Sequence, residues 1–265
     1  MADAYEKPRI PAWVWPVAKW SVIAGFILAV LGFIALWLYF AALGRDVPSI
    51  SKLKQYEPPI TSRVHAGDGT LIAEFADEHR VFVPYESIPK HVIDAFVAAE
   101  DKNFFTHDGL DYVGITRGAV NSAKNKVTGS GGLQGGSTIT QQVAKNMLLT
   151  RDQNLKRKAK EAIVAQRMEK ELTKGQILEL YLNEIYLGGR SYGVGSAALN
   201  YFNKSLPELN ISEAAVLASL AKAPSAVNPY TNPEKLLFRR NYVLNRMVED
   251  GYITREQADE AIAMP

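Results

Sequence analysis

From Val22 to Leu43 the chain runs for about 22 residues without a charge, and no other feature restricts its fold as much. At about 1.5 Å per residue, a helix of that length reaches about 33 Å, enough to cross the hydrocarbon core of a bilayer. Trp13, Trp15 and Trp20 stand near one end and Trp37, Tyr39 and Phe40 near the other, where interfacial aromatic belts occur. A buried core helix is rarely this long without polar residues. A cleaved signal peptide has a shorter apolar region, about 7–15 residues, and a small-residue cleavage site, for which Ala41-Ala42 is a poor candidate. The run is therefore expected to be a retained single-pass anchor over residues 21–43, behind a tail of residues 1–20. Lys7, Arg9 and Lys19 precede it and Arg45, Lys52 and Lys54 follow it, so the positive-inside count is a tie. A short N-terminal tail and a long C-terminal portion favour the N-terminus inside.

The remainder of the 265 residues suffices for one sizeable domain. With 47% hydrophobic and 22% charged residues, the chain is neither disordered nor wholly embedded in lipid. A net charge of +2 is too balanced to argue for nucleic acid, and the lack of cysteine excludes disulfides and thiolate metal sites. Residues 44–59 are polar, end in Pro58-Pro59, and read as a linker. Over residues 60–88 a small β element is expected. Thr61 to His65 and Leu71 to Phe75 flank Gly67-Asp68-Gly69 as a hairpin, and Val81-Phe82-Val83 is a candidate third strand.

Beyond Pro89 the pattern is helical to residue 252, with a last short helix in residues 253–265. Thr173 and Gln176 have capping-box spacing before an apolar stripe of Ile177, Leu178, Tyr181, Leu182 and Ile185, and Gly188-Gly189 is expected to end that helix. Ser212 is expected to cap a small-residue helix through Ala221, and Thr254 with Gln257 repeats the capping box.

Three clusters can carry chemistry. Glu100 and Asp101 follow the apolar run Val92 to Ala99, where a helix meets a loop bearing Phe104, Phe105 and His107. A partly desolvated carboxylate there can act as a general base, and a solvated pair at a helix end fits the spacing equally. His107 has no partner at metal-ligand spacing and reads as a hydrogen-bonded structural residue. In the second cluster, a glycine-rich stretch from Gly129 to Gly136 leads into Ser137-Thr138-Ile139-Thr140-Gln141-Gln142 and Lys145. It lacks the ending of a phosphate loop and reads as a loop entering a helix capped by Ser137 or Thr138. Gln141 and Lys145, four apart, are expected on one polar face able to hold a sugar or phosphate, although a mobile linker has the same composition. The third cluster, Lys156 to Glu161, sets Arg157 and Lys158 four and three residues before a glutamate. It suits a pyrophosphate or a solvated charged face.

Taken in order, these clusters resemble one family, the peptidoglycan glycosyltransferases classed as glycosyltransferase family 51. The likeness lies in Glu100-Asp101-x-x-Phe104-x-x-His107-x-Gly109, Gly136-Ser137-Thr138-Ile139-Thr140-Gln141-Gln142 and Arg157-Lys158-x-x-Glu161. It continues in Lys174-x-x-Ile177-Leu178-x-x-Tyr181-Leu182-Asn183 and in Arg239-x-x-x-Val243-Leu244, so that it spans about Phe82 to Tyr252. The resemblance implies a mainly α, lysozyme-like glycosyltransferase domain over residues 89–252. It also implies a membrane-dipping jaw from about Asp111 to Gly136.

By the same resemblance the donor is a growing glycan on undecaprenyl pyrophosphate, and the acceptor is lipid II. Glu100 aligns with the catalytic base and Glu161 with the second essential glutamate. Ser137, Thr138, Gln141, Gln142, Lys145, Arg157, Lys158, Lys160, Asn183, Arg239 and Arg240 are the implied substrate contacts. Asp101, Phe105, His107 and Tyr181 are supporting residues, and Asn183 suits a place beside Tyr181 behind the contacts as well as one among them. No cofactor is required; a magnesium or manganese ion at the pyrophosphate is compatible. The implied setting is the inner membrane, with the catalytic domain on the periplasmic side. Membrane lipid and other wall-synthesis proteins of the divisome or elongasome are the implied partners.

The segment around Tyr56-Glu57-Pro58-Pro59 and Asp68-Gly69-Thr70 resembles bifunctional class A penicillin-binding proteins more than monofunctional enzymes. On that likeness residues 253–265 begin a linker to a transpeptidase domain outside this sequence, with a complete monofunctional transglycosylase as the alternative. Two rival readings are a lysozyme-like lytic enzyme that cuts glycan and a non-catalytic membrane scaffold. The first shares the fold and its reliance on glutamate but leaves the basic residues around Glu161 without a task.

Overall fold

The computed structural model describes residues 13–45, 47–50, 53, 62–68, 71–75, 79–118, 136–149 and 155–264. The chain divides into two units, Met1–Val47 and Pro48–Pro265. Among its described residues the first holds one helix, α1 (Val14–Arg45), of 32 residues. At about 1.5 Å per residue it is about 48 Å long, and Pro16 falls in its first turn, where a missing N–H costs little. It begins seven residues before the expected anchor, so Trp15 and Trp20 are part of the helix. Its apolar residues from Val22 at 72% to Phe40 at 40% are largely exposed, while Leu43 near its end is buried. A helix without a polar face is suited to lipid. It is long and apolar enough to cross a membrane.

The second unit is mainly α, with two small sheets among the described residues. β1 (Ser62–His65) and β2 (Leu71–Phe75) form the antiparallel hairpin expected around Gly67-Asp68. The next strand is β3 (His79–Arg80), not Val81 to Val83, and it pairs in parallel with β4 (Ser191–Tyr192). Val83 bonds instead to the Asn183 side chain, through both its amide and its carbonyl.

Helix α2 (Lys90–Glu100) is buried from Val92 to Ala98, because its apolar residues cover more than one face. It packs on α7 (Ile211–Lys222) and α8 (Pro233–Glu249), while the short α3 (Ile139–Val143) packs on α4 (Leu155–Glu171) and α5 (Lys174–Glu184). Phe96, Phe104, Ile139, Met168, Ile177, Leu178, Leu217 and Leu244 form the interior, all without measurable exposure. Burying each such side chain contributes about 1.5–3 kcal/mol. Phe96→Ala, at the centre of α2, would cost about 3–5 kcal/mol.

Helix starts follow side-chain chemistry. Thr173 and Thr254 close capping boxes with Gln176 and Gln257, opening α5 and α9 (Arg255–Ala263). The cap of α7 is Asn210 with Glu213; Ser212 lies inside the helix and is buried. Helix α5 ends at Glu184, before the expected Gly188-Gly189, as Ile185 turns to extended backbone and its carbonyl accepts from the Gly193 amide at 2.8 Å. Gly193 has φ +81, and a Cβ there would sit 2.6 Å from the Asn183 carbonyl oxygen, so only glycine allows this return before α6 (Val194–Phe202). The segment expected to form the jaw is described only at 111–118 and at Gly136; the glycine-rich stretch before Gly136 lies outside the described residues.

Candidate active site

Glu100 is the last residue of α2, and the chain leaves the helix at Asp101, whose φ of −158° is extended. The Asp101 carboxylate then ties the next loop to the start of α3. It faces His107 Nε2 at 3.0 Å and accepts the Ile139 amide at 2.9 Å. His107 Nδ1 accepts from the Gly109 amide at 3.1 Å, which assigns the ring proton to Nε2, facing Asp101. Gly109 has φ +85, and a Cβ there would lie 2.8 Å from the carbonyl carbon and oxygen of Ala165. A bare glycine lets this loop lie flat on the backbone of α4.

Helix α3 starts at Thr138, which closes a capping box with Gln141 and also donates its hydroxyl to the Gly109 carbonyl at 2.7 Å. With the Asp101 carboxylate on the first helical amide, the start of α3 is fixed from three sides. That placement brings Gln142, one turn on, against Glu100: Nε2 donates to Oε2 at 3.0 Å. The other oxygen, Oε1, is buried and has no hydrogen-bond partner among the described residues. Burial pushes the Glu100 carboxyl above its ordinary value. The Gln142 bond and the charges of Lys222 and Arg239 pull it down, and Asp101 pushes it up. The carboxylate has one oxygen held, one free, and a raised proton affinity, which is the constitution of a general base.

Glu161 is 1% exposed and meets two cations from its own helix. Arg157 Nε lies 3.2 Å from Oε1 and Lys158 Nζ 2.8 Å from Oε2, the four- and three-residue spacing seen in the sequence. Lys158 also donates to Ser137 Oγ at 2.8 Å. Ser137, just before the Thr138 cap, and Gln142, within α3, thus connect the two glutamates to one short segment. Both Glu161 oxygens face basic groups, and no group of three metal-ligating side chains occurs among the described residues. This donor set does not fit a resident divalent cation.

Other sequence candidates have different tasks. Gln141 is buried and its Oε1 accepts the Thr138 amide, whereas Lys145 is exposed and stands where α3 widens into a π turn (Ala144–Leu148). The two do not form the shared polar face expected of them. Asn183 is buried, accepts from the Val83 amide and donates to the carbonyls of Val83 and Glu179, each at 2.8 Å, so it pins residues 81–84 to α5. Arg240 is 3% exposed and donates to the carbonyls of Ile262 and Met264 and to Ser212 Oγ. It anchors the end of α9, contrary to its expected place among the substrate contacts.

Its neighbour Arg239 points elsewhere, lying over the Tyr242 ring at 4.5 Å and acting on Glu100 by its charge. Phe105 is 48% exposed beside Phe104, and Lys160 is half-buried next to Glu161. Tyr181 is buried against Phe96.

Two further groups, neither among the expected site residues, act at the site. Lys222 acts on Glu100 from the end of α7, where a basic residue ordinarily reads as a partner for the helix dipole. Lys174 donates to the His107 carbonyl at 2.6 Å and to Glu169 at 2.8 Å, and lies 4.5 Å above the Phe104 ring. Glu169 also accepts from Thr140, which locks α3, α4 and the 101–110 loop together. The Ser-x-x-Lys spacing at Ser219 and Lys222, one of four in the sequence, is that of an acyl-transfer nucleophile. Ser219, however, is buried and donates to the Ala215 carbonyl, so it marks no such site.

The model of the Transglycosylase family matches residues 68–248. A penicillin-binding protein 1A of Rickettsia prowazekii (strain Madrid E) is 50% identical over 220 residues, covering 83% of this chain and 28% of that protein. Its namesake in Aquifex aeolicus (strain VF5) is 46% identical, over 92% of this chain and 33% of its own length. That of Escherichia coli (strain K12) is 41% identical, over 91% and 28%. The crystal structure of penicillin-binding protein 1A from Haemophilus influenzae matches 79% of this chain and 21% of its own, at 30% identity and a TM-score of 0.45. The chain spans about a third of the length of these relatives.

Proposed function

The chain belongs to the transglycosylase family, and from that premise we propose that it is an inverting peptidoglycan glycosyltransferase that polymerises lipid II into β-1,4-linked glycan with release of undecaprenyl pyrophosphate. Glu100 Oε1 takes the proton of the acceptor's sugar 4-hydroxyl. The deprotonated 4-hydroxyl oxygen of the acceptor forms a bond to the donor's anomeric carbon from the face opposite the leaving group. The bond from the same carbon to the pyrophosphate oxygen breaks, and its electron pair leaves with the lipid pyrophosphate. Inversion follows from attack opposite the leaving group.

The observation that carries this reading is the pair of glutamates joined through α3. One carboxylate has a free buried oxygen, and the other is flanked by Arg157 and Lys158. Charge accumulates on the departing pyrophosphate in the transition state, and preorganised cations stabilise it there. Ser137, Lys145, Lys160 and Arg239 are the further contacts of the sugar and phosphates. Arg157 and Lys158, already against the Glu161 carboxylate, supply positive charge beside the pyrophosphate. The helix α1 fits a substrate that stays in the bilayer, with the catalytic unit on the periplasmic side of the inner membrane.

The test is polymerisation of lipid II by the detergent-solubilised chain, wild type beside Glu100→Gln, read as glycan ladders. Ladders from the wild type alone are expected. Shortening of preformed glycan without ladder growth would turn the reading to the lytic alternative. No product from a folded wild type would favour a scaffold.

A further inference from the structure

The hydroxyl of Tyr181 has no hydrogen-bond partner among the described residues, although the residue is only 1% exposed. A buried hydroxyl left unmatched is costly and calls for an explanation. Its surroundings supply one. The Tyr181 ring stands edge-on to Phe96 with centroids 6.2 Å apart, and Phe96 lies one turn before Glu100 on the same face of α2. The carboxylates of Glu100 and Asp101 both act on the hydroxyl. Burial first, and then those charges, hold it well above its ordinary value, so it stays a neutral donor. Glu100 Oε1 is another buried atom without a hydrogen-bond partner among the described residues, an acceptor in the same interior.

We propose that Tyr181 is a positioning residue for Glu100, its hydroxyl joined to Oε1 through one ordered water. A bridging water satisfies two buried groups that lack direct partners. A carboxylate oxygen has two lone pairs, so Oε1 retains one for the acceptor's hydroxyl while the water uses the other. Tyr181 donates while Glu100 is ionised. Once Glu100 has taken its proton, the same hydroxyl accepts through the water, so the carboxyl keeps its orientation in both states.

The other groups facing Glu100 are Asp101 beside it, Lys222 from α7, Arg239 from α8 and Gln142 from α3. Tyr181→Phe alters none of them and leaves the ring on Phe96. The inference rests on Glu100 being the base, and the test separates the two.

In the detergent-solubilised chain, infrared difference titration follows the carboxyl band that Glu100→Gln removes. The acidic limb of the pH–rate profile for lipid II polymerisation is recorded alongside it. Losing a donor to the ionised form moves the Tyr181→Phe titration midpoint and limb upward together, by roughly half a pH unit or more. A midpoint that stays in place or moves down would overturn the proposal and leave Tyr181 a packing residue. The infrared titration needs no turnover. If the wild type polymerises nothing, the proposed reaction fails while the midpoint still decides the fate of the bridge.

Discussion

Gln142 donates its Nε2 proton to Oε2 of Glu100 across 3.0 Å, so the orientation of the carboxylate on α2 is set by a residue 42 positions away on α3. The bond favours the ionised form of a carboxyl that burial pushes up. Gln142→Leu removes that support. A larger fraction of Glu100 is then protonated near neutral pH, and the acidic limb of polymerisation moves to higher pH. We expect kcat to fall by about 10-fold or more at pH 7, with partial recovery at pH 8.5. A rate profile of unchanged shape would show that the contact does not tune the base.

Glu100→Gln separates catalysis from folding. Removing the base should lower turnover by about 100-fold or more. Stability should move the other way. The folded carboxyl binds its proton more tightly than the ordinary value of 4.5, so its contribution is fully present below that pH and is lost as pH rises through the folded value. The amide does not titrate. The melting temperature of Glu100→Gln should therefore exceed that of the wild type at pH 7.5, by an amount on the order of 1 kcal/mol in stability, and converge with it toward pH 4. Scans at the two pH values check both the sign and the convergence.

What was legible in the sequence was local. Thr173 with Gln176 and Thr254 with Gln257 name their own helix starts, because a capping box is a contact over three residues. Arg157 and Lys158 pair with Glu161 because three and four residues make one helix side. The same logic misplaced the start of α7. Asn210 and Glu213 also have capping-box spacing, and Ser212 was taken up instead by Arg240, 28 residues on. The early end of α5 depends on Gly193 folding back against Asn183, and the fixing of α3 depends on Asp101 reaching Ile139, 38 residues away. No periodicity encodes contacts at that range.

Arg239 and Arg240 show how one residue step divides two roles. Successive helix positions lie about 100° apart, so one guanidinium reaches toward Glu100 while the other is buried at the end of α9. Arg240→Met would leave the carbonyls of Ile262 and Met264 without that donor, at a cost of about 2–4 kcal/mol, with the rate per folded molecule unchanged. Arg239→Gln should keep stability within about 1 kcal/mol while lowering the rate, because a positive charge near Glu100 and the leaving group is lost. Denaturation and initial rates measured on both variants test the division. An Arg240 variant slowed more than its folded fraction explains would return that residue to the substrate site.

Gly109 joins both halves of the site, so its replacement should be disproportionately harmful. Its amide donates to His107 Nδ1 and its carbonyl accepts from Thr138, while its φ of +85 disfavours any side chain. In Gly109→Ala the added carbon would sit 2.8 Å from the carbonyl carbon and oxygen of Ala165, and a helix backbone cannot rotate out of the way as a side chain can. The loop must lift from α4, at a cost of about 2–4 kcal/mol from strain and overpacking together. Lifting it also loosens the cap of α3, and with it the hold of Gln142 on Glu100, so turnover of the folded fraction should fall as well. Because the opposing atoms are backbone, Ala165→Gly should restore neither stability nor rate in the double variant. Rescue by that substitution, measured by thermal denaturation and lipid II polymerisation, would mean that the loop is held by side-chain packing and that the backbone contact is not what requires glycine.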